Sequence, residues 1–226
     1  VGWHDVVLGA SFISMMESLD HPYMKYLVTK NEVGFTKSGK NSASSAPATT
    51  EKGTVFVGMR AGATPGIGQA AAQNPLAGFS TPKKEYLTEK VPPLYLMKLS
   101  EVMFLRAEGA IRGWDMGGTA QQFYEQGIRY AYFEDRSMAS QSPYPTLVDD
   151  YLKLSTPKPY TYVDPTGETP DMPSVTKIGV AWSSANGDKE KQLEMIITQK
   201  YIASWPYSYE AFVDLRRTGY PKLFPV

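Results

Sequence analysis

Apolar residues recur at helical spacing near the C-terminal end of the chain, after the turn Asn186-Gly187-Asp188. Offsets of 3, 4 and 8 define one helical face, at Leu193, Ile196, Ile197 and Tyr201. Met195 and Ile202 widen this face, so we expect the helix to be covered on more than one side. The turn offers a polar N-cap, and Pro206 disfavours helical geometry in the residue before it. The pattern therefore predicts a buried helix that ends before Pro206.

A second helix is predicted directly after this proline. Ser208 can cap its start, and Phe212 and Leu215 supply apolar positions. Gly219, followed by Pro221, provides the stop.

Residues 94–136 carry another helical pattern, which is interrupted by a glycine-rich turn at 113–118. The first half places apolar or small residues on one face, at Leu99, Met103, Ala107 and Ala110. Thr119 can cap a second helix that runs to about Arg136. A helix, a turn and a helix with small residues at the contact form a tetratricopeptide-like hairpin. One hairpin cannot bury both of its faces, so further units are expected in the rest of a longer protein.

Glu101 and Glu108 lie on one face of the first of these helices, about 10 Å apart by the helical rise. Two carboxylates could serve as the acid and base of a glycoside hydrolase. The same pattern occurs in a structural helix, and we expect structural pairing with Arg106, Arg112 or the Arg216-Arg217 couple. The arginine couple could also clamp a carboxylate ligand, although a position at a helix C-terminus favours a local structural role.

The remaining segments have weaker patterns. Residues 6–18 are compatible with a helix, residues 54–57 and 177–182 with short strands, and Thr146 or Asp149 with the start of a short helix. Residues 31–91 and 137–187 are rich in small, turn-forming residues, which predicts long irregular loops.

Composition excludes several classes of function. Lys and Arg together number 23, as do Asp and Glu, and no basic cluster favours nucleic acid. The absence of cysteine excludes disulfides and thiolate sites, and the two histidines, His4 and His21, lack nearby partners for a metal site. No cofactor is indicated. No secretory signal opens the chain, which begins as if in mid-domain, so we expect it to be the C-terminal portion of a longer protein.

Two stretches near the end of the chain resemble the C-terminal signature of the SusD/RagB family: Ile197–Ala203, ITQKYIA, and Asp214–Pro221, DLRRTGYP. The family usually has tryptophan where Tyr201 and Phe212 stand, and both replacements keep an aromatic ring. Residues 99–108, LSEVMFLRAE, resemble a second family signature, with Ser100 in place of the usual alanine. Asp20-His21-Pro22 matches the family's Asp-Pro-Arg motif in part.

The resemblance implies a mostly α fold, an α-α superhelix of tetratricopeptide-like hairpins with long irregular loops, of which residues 1–226 form a single-domain portion. It implies non-catalytic binding of glycans, such as starch, in polysaccharide utilization by Bacteroidetes. The binding protein would be a lipoprotein at the cell surface in the outer membrane, and its partner would be a SusC-like TonB-dependent transporter. Membrane attachment would be through an N-terminal lipid anchor that is absent from this sequence.

Sugar binding requires aromatic rings that stack on the ligand. The candidate rings are Trp3, Trp114, Tyr160, Tyr162 and Trp182, of which the two tyrosines lie in a turn-rich loop and are expected to be exposed. Packing is the alternative reading for Trp114 and Trp182. The alternative functions are a tetratricopeptide-like protein-interaction scaffold and a peptide-binding RagB-like member, and no spacing favours a hydrolase.

Overall fold

The computed structural model describes residues 6–31, 35–36, 49–51, 53–63, 76, 78–83, 95–133, 146–165, 169–206 and 209–226. Within these residues the secondary structure is mostly helical. The helices are α1 (Ala10–Ser18), α2 (Met24–Leu27), α3 (Leu99–Ile111), α4 (Ala120–Phe133), α5 (Thr146–Tyr151), a 3₁₀-helix (Trp182–Ala185), α6 (Lys189–Ala203) and α7 (Tyr209–Thr218). The strands form antiparallel pairs: β1 (Phe35–Thr36) with β2 (Thr49–Thr50), and β3 (Thr161–Tyr162) with β4 (Met172–Pro173).

The chain divides into two compact units. Unit 1 contains Val1–Pro92, Lys158–Val175 and Phe224–Val226, and unit 2 contains Pro93–Pro157 and Thr176–Leu223. Each unit is therefore assembled from segments that are distant in the sequence.

In unit 1, extended segments pack around α1 and are joined by individual backbone hydrogen bonds. Leu8 donates its N–H to Ser80 O at 2.9 Å, and Ser80 N donates to Val57 O at 2.7 Å. A Cβ on Gly58 would lie 2.5 Å from the carbonyl carbon of Gly9, so this close approach requires glycine. The apolar core of the unit contains Ala10, Val57, Phe79, Tyr162 and Phe224.

The predicted tetratricopeptide-like hairpin is confirmed in unit 2. Helices α3 and α4 pack against each other, and the rings of Phe104 and Tyr124 meet edge-on with centroids 6.4 Å apart. The N–H of Gln122 donates to Oγ1 of Thr119 at 3.2 Å, and the Thr119 N–H donates back to Oε1 of Gln122 at 2.9 Å. The second helix is therefore capped at Thr119, as its sequence predicts.

The two C-terminal helices also follow the sequence pattern. Oδ1 of Asp188 accepts hydrogen bonds from the N–H groups of Glu190 and Lys191, which makes Asp188 the N-cap of α6. Residues 195–200 of α6 are all buried, so the helix is covered on more than one side. After α7, Gly219 adopts a φ of +75°, a conformation that favours glycine at the end of a helix.

Several local predictions need correction. Leu99 is 46% exposed, and the buried face of α3 is instead formed around the fully buried Phe104. Residues 54–57 and 177–182 are not strands, because their backbone groups bond to separate segments and form no ladder. Helix α1 starts at Ala10 and not at residue 6. Ser208, the predicted cap of α7, lies outside the described residues.

A test of the hairpin contact is the replacement Gly127→Ala in α4. Helix propensity alone would make alanine more stable than glycine by about 1 kcal/mol. A Cβ at this position would lie 2.7 Å from Cε1 of Phe104, so we expect a loss of about 1–3 kcal/mol instead. The measurement is the midpoint of thermal or urea unfolding. The control is Gln126→Ala at the adjacent exposed position, and this change should not lower the stability. A Gly127→Ala variant that is more stable than the unmodified protein would show that the close contact between the two helices does not limit stability.

Candidate functional site

The most exposed candidate ring is Trp114, which lies in the turn between α3 and α4. Its side chain is 65% exposed, and no aromatic or cationic partner covers the ring within the described part of the chain. The backbone below it is fixed, because the Trp114 N–H donates to Gly109 O at 3.0 Å and Gly113 adopts a φ of +87°. The ring is therefore displayed on a rigid turn.

The second half of the same turn is also held in place. Nη2 of Arg106 donates to Met116 O at 2.7 Å, and the Arg106 guanidinium lies 3.9 Å from the centroid of the Phe123 ring. Oδ1 of Asp115 accepts a hydrogen bond from the N–H of Gly117 at 3.1 Å. These contacts mean that a ligand on Trp114 would meet a surface that is already ordered, which reduces the entropic cost of binding.

Trp182 is half-buried at the start of the 3₁₀-helix in unit 2. Its ring lies 5.0 Å from that of Tyr124 between centroids, at an interplanar angle of 44°. The Tyr124 hydroxyl donates to Val180 O at 2.9 Å, which fixes the ring on which Trp182 rests. Trp182 therefore packs against Tyr124 and also keeps part of its surface accessible. The packing and the ligand-binding readings of this residue are compatible with each other.

The two candidate tyrosines of unit 1 have different environments. Tyr160 is half-buried and packs its ring partly against the core. Tyr162 is 0% exposed, and its ring centroid lies 5.7 Å from that of Phe224. The expectation that both rings are exposed is therefore wrong for Tyr162, since β3 turns alternate side chains to opposite faces and places this one in the core. We withdraw it as a ligand-contacting residue.

The remaining candidates from the sequence either lie outside the described residues or are not placed to bind a metal or ligand. Trp3 and His4 fall among the residues that are not described, so the ring of Trp3 stays a prediction. His21 is buried, its Nδ1 accepts a hydrogen bond from the Tyr23 N–H, and burial lowers its pKa to about 3. Within the described ranges, no group of His, Asp and Glu side chains is arranged to hold a metal ion.

A buried cluster of charges joins α3, α6 and α7 in unit 2. Glu108 accepts two hydrogen bonds from the guanidinium of Arg217, and Oε1 of Glu108 also accepts from Nη2 of Arg112 at 2.7 Å. Nη2 of Arg217 donates in turn to Oδ1 of Asp214 at 2.7 Å. The predicted structural pairing of Glu108 is confirmed with Arg112 and with Arg217, one member of the arginine couple.

The cluster continues through Lys200, a residue whose role the sequence pattern did not reveal. Its Nζ lies 2.8 Å from Oδ2 of Asp214 and 3.4 Å from Oε1 of Glu101, and the Lys200 and Asp214 side chains are only 6% and 7% exposed. A lysine within the continuous buried run of α6 was the available signal, because such an amine is stable only when it is paired. Both candidate acids, Glu101 and Glu108, are thus engaged by cations.

A small pocket opens beside this cluster, at the start of α3 and the end of α6. Its volume is about 80 Å³, and its lining includes Glu101, Lys200 and Glu210 together with the apolar residues Leu96 and Met97. Pockets that enclose small ligands usually measure roughly 300–1,000 Å³, so this one is too small to enclose a sugar. None of the described helices is both long and apolar enough to cross a bilayer.

The described residues thus form a mostly helical scaffold with a tetratricopeptide-like hairpin, an ion-paired C-terminal helix and a tryptophan on a rigid turn. The family model for the Susd and RagB outer membrane lipoprotein matches residues 1–226, and the chain belongs to this family. No curated protein matches the sequence significantly.

Solved structures of SusD homologues resemble the chain closely. One from Bacteroides thetaiotaomicron is 33% identical, with a TM-score of 0.71 over 96% of this chain and 39% of its own. One from Bacteroides ovatus is 36% identical, with a TM-score of 0.68 over 100% of this chain and 41% of its own. A chitin-binding homologue from Flavobacterium johnsoniae is 33% identical, with a TM-score of 0.70 over 100% of this chain and 39% of its own. The chain spans about two fifths of the length of these relatives.

The charge cluster predicts acid sensitivity. Burial would raise the pKa of Glu108, but hydrogen bonds from Arg217 and Arg112 outweigh it and hold the pKa below its ordinary value of 4.5. A carboxyl whose pKa is lower in the folded state stabilises the fold above its unfolded pKa, and this stabilisation is lost as the pH falls through the folded value. The free energy of unfolding of the unmodified protein should therefore fall as the solution is acidified. We expect it to fall less in Glu108→Gln, because this variant lacks the carboxyl group that becomes protonated.

At neutral pH the same replacement should lower the free energy of unfolding by about 2 kcal/mol, because charge-assisted hydrogen bonds are lost. The matched control is Asp150→Asn, which removes an exposed pair with Lys153 and should cost much less, because exposed ion pairs contribute little to stability. Urea unfolding at pH 7 and over a series of pH values below 4.5 measures both effects. Equal losses for the two variants would contradict a stabilising role for the buried cluster.

Proposed function

We propose that the protein carrying this chain binds glycans at the bacterial cell surface, without cleaving them, for delivery to a SusC-like TonB-dependent transporter in the outer membrane. Membership of the SusD-like family supports the proposal, as does the similarity to a homologue that is described as chitin-binding. A lipid anchor in the full-length protein is part of the proposal.

The observation that carries the proposal is the exposed ring of Trp114 on its rigid turn. A tryptophan that is 65% exposed leaves a large apolar face in water, and a sugar ring covers such a face with its C–H groups. The neighbouring residue Asp115 is also exposed, and it adds a carboxylate to the same turn. Trp182 is proposed as a second contact, with Tyr124 as its support.

The arrangement of carboxylates supports binding without hydrolysis. A glycoside hydrolase needs two carboxyl groups facing one cleft, one of them free to transfer a proton. Glu108 is held by Arg112 and Arg217, and Glu101 lies against Lys200. These two acids therefore stabilise the helical scaffold and are poorly suited to acid–base chemistry.

A protein-interaction scaffold is the second candidate, and an exposed apolar surface favours it. Leu96 and Met97 on one side of the small pocket are 92% and 60% exposed, and Tyr209 on α7 is 89% exposed. Exposed apolar side chains that lie close together often mark a surface that binds another protein segment.

Affinity electrophoresis of the full-length protein in gels containing glycol chitin, starch or other soluble polysaccharides tests glycan binding. We expect retardation by at least one polysaccharide, and Trp114→Ala should weaken it by about tenfold because one stacking surface is lost. The control is Phe212→Ala, which removes a ring that is 61% exposed on α7 and should not affect binding. Product release is followed in the same samples. Cleavage would contradict a non-catalytic role, and an equal loss in both variants would contradict the assignment of Trp114.

Delivery requires a complex with the transporter. Mild detergent extraction of outer membranes, followed by affinity capture of the tagged full-length protein, should co-purify a large TonB-dependent transporter. Capture of the protein without such a partner, under conditions that keep other outer-membrane complexes intact, would separate glycan binding from transport and favour the scaffold.

A further inference from the structure

Unit 1 carries a surface of its own on which polar and aromatic side chains converge. We call it the Tyr160 surface; it contains Glu17, Asp20, Lys30, Lys158 and Tyr160. These residues come from the end of α1, the segment after α2 and the segment before β3. Because these residues are far apart in the sequence, only the tertiary structure brings them together.

Backbone and side-chain contacts fix the geometry of this surface. The Lys158 N–H donates to Ser18 O at 2.7 Å, which lays the segment before β3 against the end of α1. Nζ of Lys158 lies 2.5 Å from Oδ2 of Asp20. Tyr160, two residues further along this extended segment, is held by a hydrogen bond from Ser174 N to its carbonyl oxygen at 2.8 Å.

Glu17 has unused hydrogen-bonding capacity at the centre of this surface. Its carboxyl group is half-buried, and no hydrogen bond or ion pair engages it within the described residues. Burial raises its pKa, Asp20 adds to the effect, and Lys30 and Lys158 oppose it. A half-buried acceptor without a partner gains more from a donor than one that is fully hydrated.

The hydroxyl of Tyr160 faces the same environment. Burial raises the pKa of Tyr160, and the nearby charge of Glu17 raises it further, so the hydroxyl keeps its proton. Within the described part of the chain this hydroxyl makes no hydrogen bond, and the side chain is half-buried with its ring packed partly against the core. Among the described residues, Tyr160 therefore offers an unbonded O–H in the neighbourhood of the Glu17 carboxyl group.

The charges on the surface select the class of ligand. Glu17 and Asp20 are balanced by Lys30 and Lys158, so the surface as a whole does not attract a strongly charged ligand. Hydroxyl groups can donate to a carboxylate and accept from a tyrosine or a lysine. A neutral sugar combines such hydroxyl groups with a C–H face that fits an aromatic ring.

We infer that the Tyr160 surface is a second carbohydrate subsite, which takes a neutral sugar with one hydroxyl group bonded to the Tyr160 O–H and another donating to Glu17. The inference rests on the proposed glycan-binding function. It adds a contact in unit 1 to those of Trp114 and Trp182 in unit 2.

The test uses the full-length protein and the polysaccharide that retards it most in affinity electrophoresis. Tyr160→Phe removes the hydroxyl and keeps the ring that packs on the core, and Glu17→Ala removes the carboxyl group at a helical position that alanine tolerates well. Each should weaken binding by about tenfold, the loss expected for one hydrogen bond. Tyr209→Phe, at an exposed tyrosine of unit 2, is the matched control and should leave binding unchanged.

The outcomes separate this inference from the proposed function. If the unmodified protein is retarded and both unit 1 variants bind less tightly while they unfold at an unchanged temperature, the subsite is supported. If the unmodified protein is retarded and both variants bind as it does, the subsite is overturned and glycan binding stands. If no polysaccharide retards the unmodified protein, both proposals fail.

Discussion

The arrangement of unit 2 depends on the ion pairs that Lys200, Asp214, Arg217 and Glu108 form in its interior. The side chains of Lys200, Asp214 and Glu108 are almost fully buried, and a buried charge is stable only when it has a partner at hydrogen-bonding distance. These partners come from three different helices, so the charges can be satisfied only when α3, α6 and α7 occupy their observed positions. The cluster is therefore a constraint on geometry as much as a source of stability, because loss of one partner would leave a buried charge with only one of its two ion pairs.

This constraint bears on the candidate binding surface through α3. Glu108 fixes the C-terminal half of that helix against α7. The turn that displays Trp114 begins at Gly113, directly after the Arg112 that also pairs with Glu108. The turn has its own supports in Arg106 and Met116. A ring on such a support keeps its orientation before a ligand arrives, which favours binding because little order has to be created. The same acids that could suggest catalysis thus contribute to the rigidity of a binding scaffold.

Much of the helical structure could be predicted from the sequence. The caps at Asp188 and Thr119, and the stop at Gly219, depend on contacts between residues close together in the chain, which residue type and spacing reveal. The pairing of Glu108 with an arginine of the couple was also predictable, since a buried acid requires a cation. Lys200 was missed because its partners, Asp214 and Glu101, are distant in the sequence and no local pattern connects them.

The sequence by itself therefore determined the helices, their caps and the family to which the chain belongs, because these follow from local periodicity and short motifs. Tertiary structure alone decided which aromatic rings are accessible. Tyr160 and Tyr162 are the same residue type in the same loop, yet Tyr160 is only half-buried, whereas Tyr162 is fully buried against Phe224. The physical reason is that burial depends on contacts between segments far apart in the chain, here β3 and the segment that ends at Val226, which residue type and spacing do not specify.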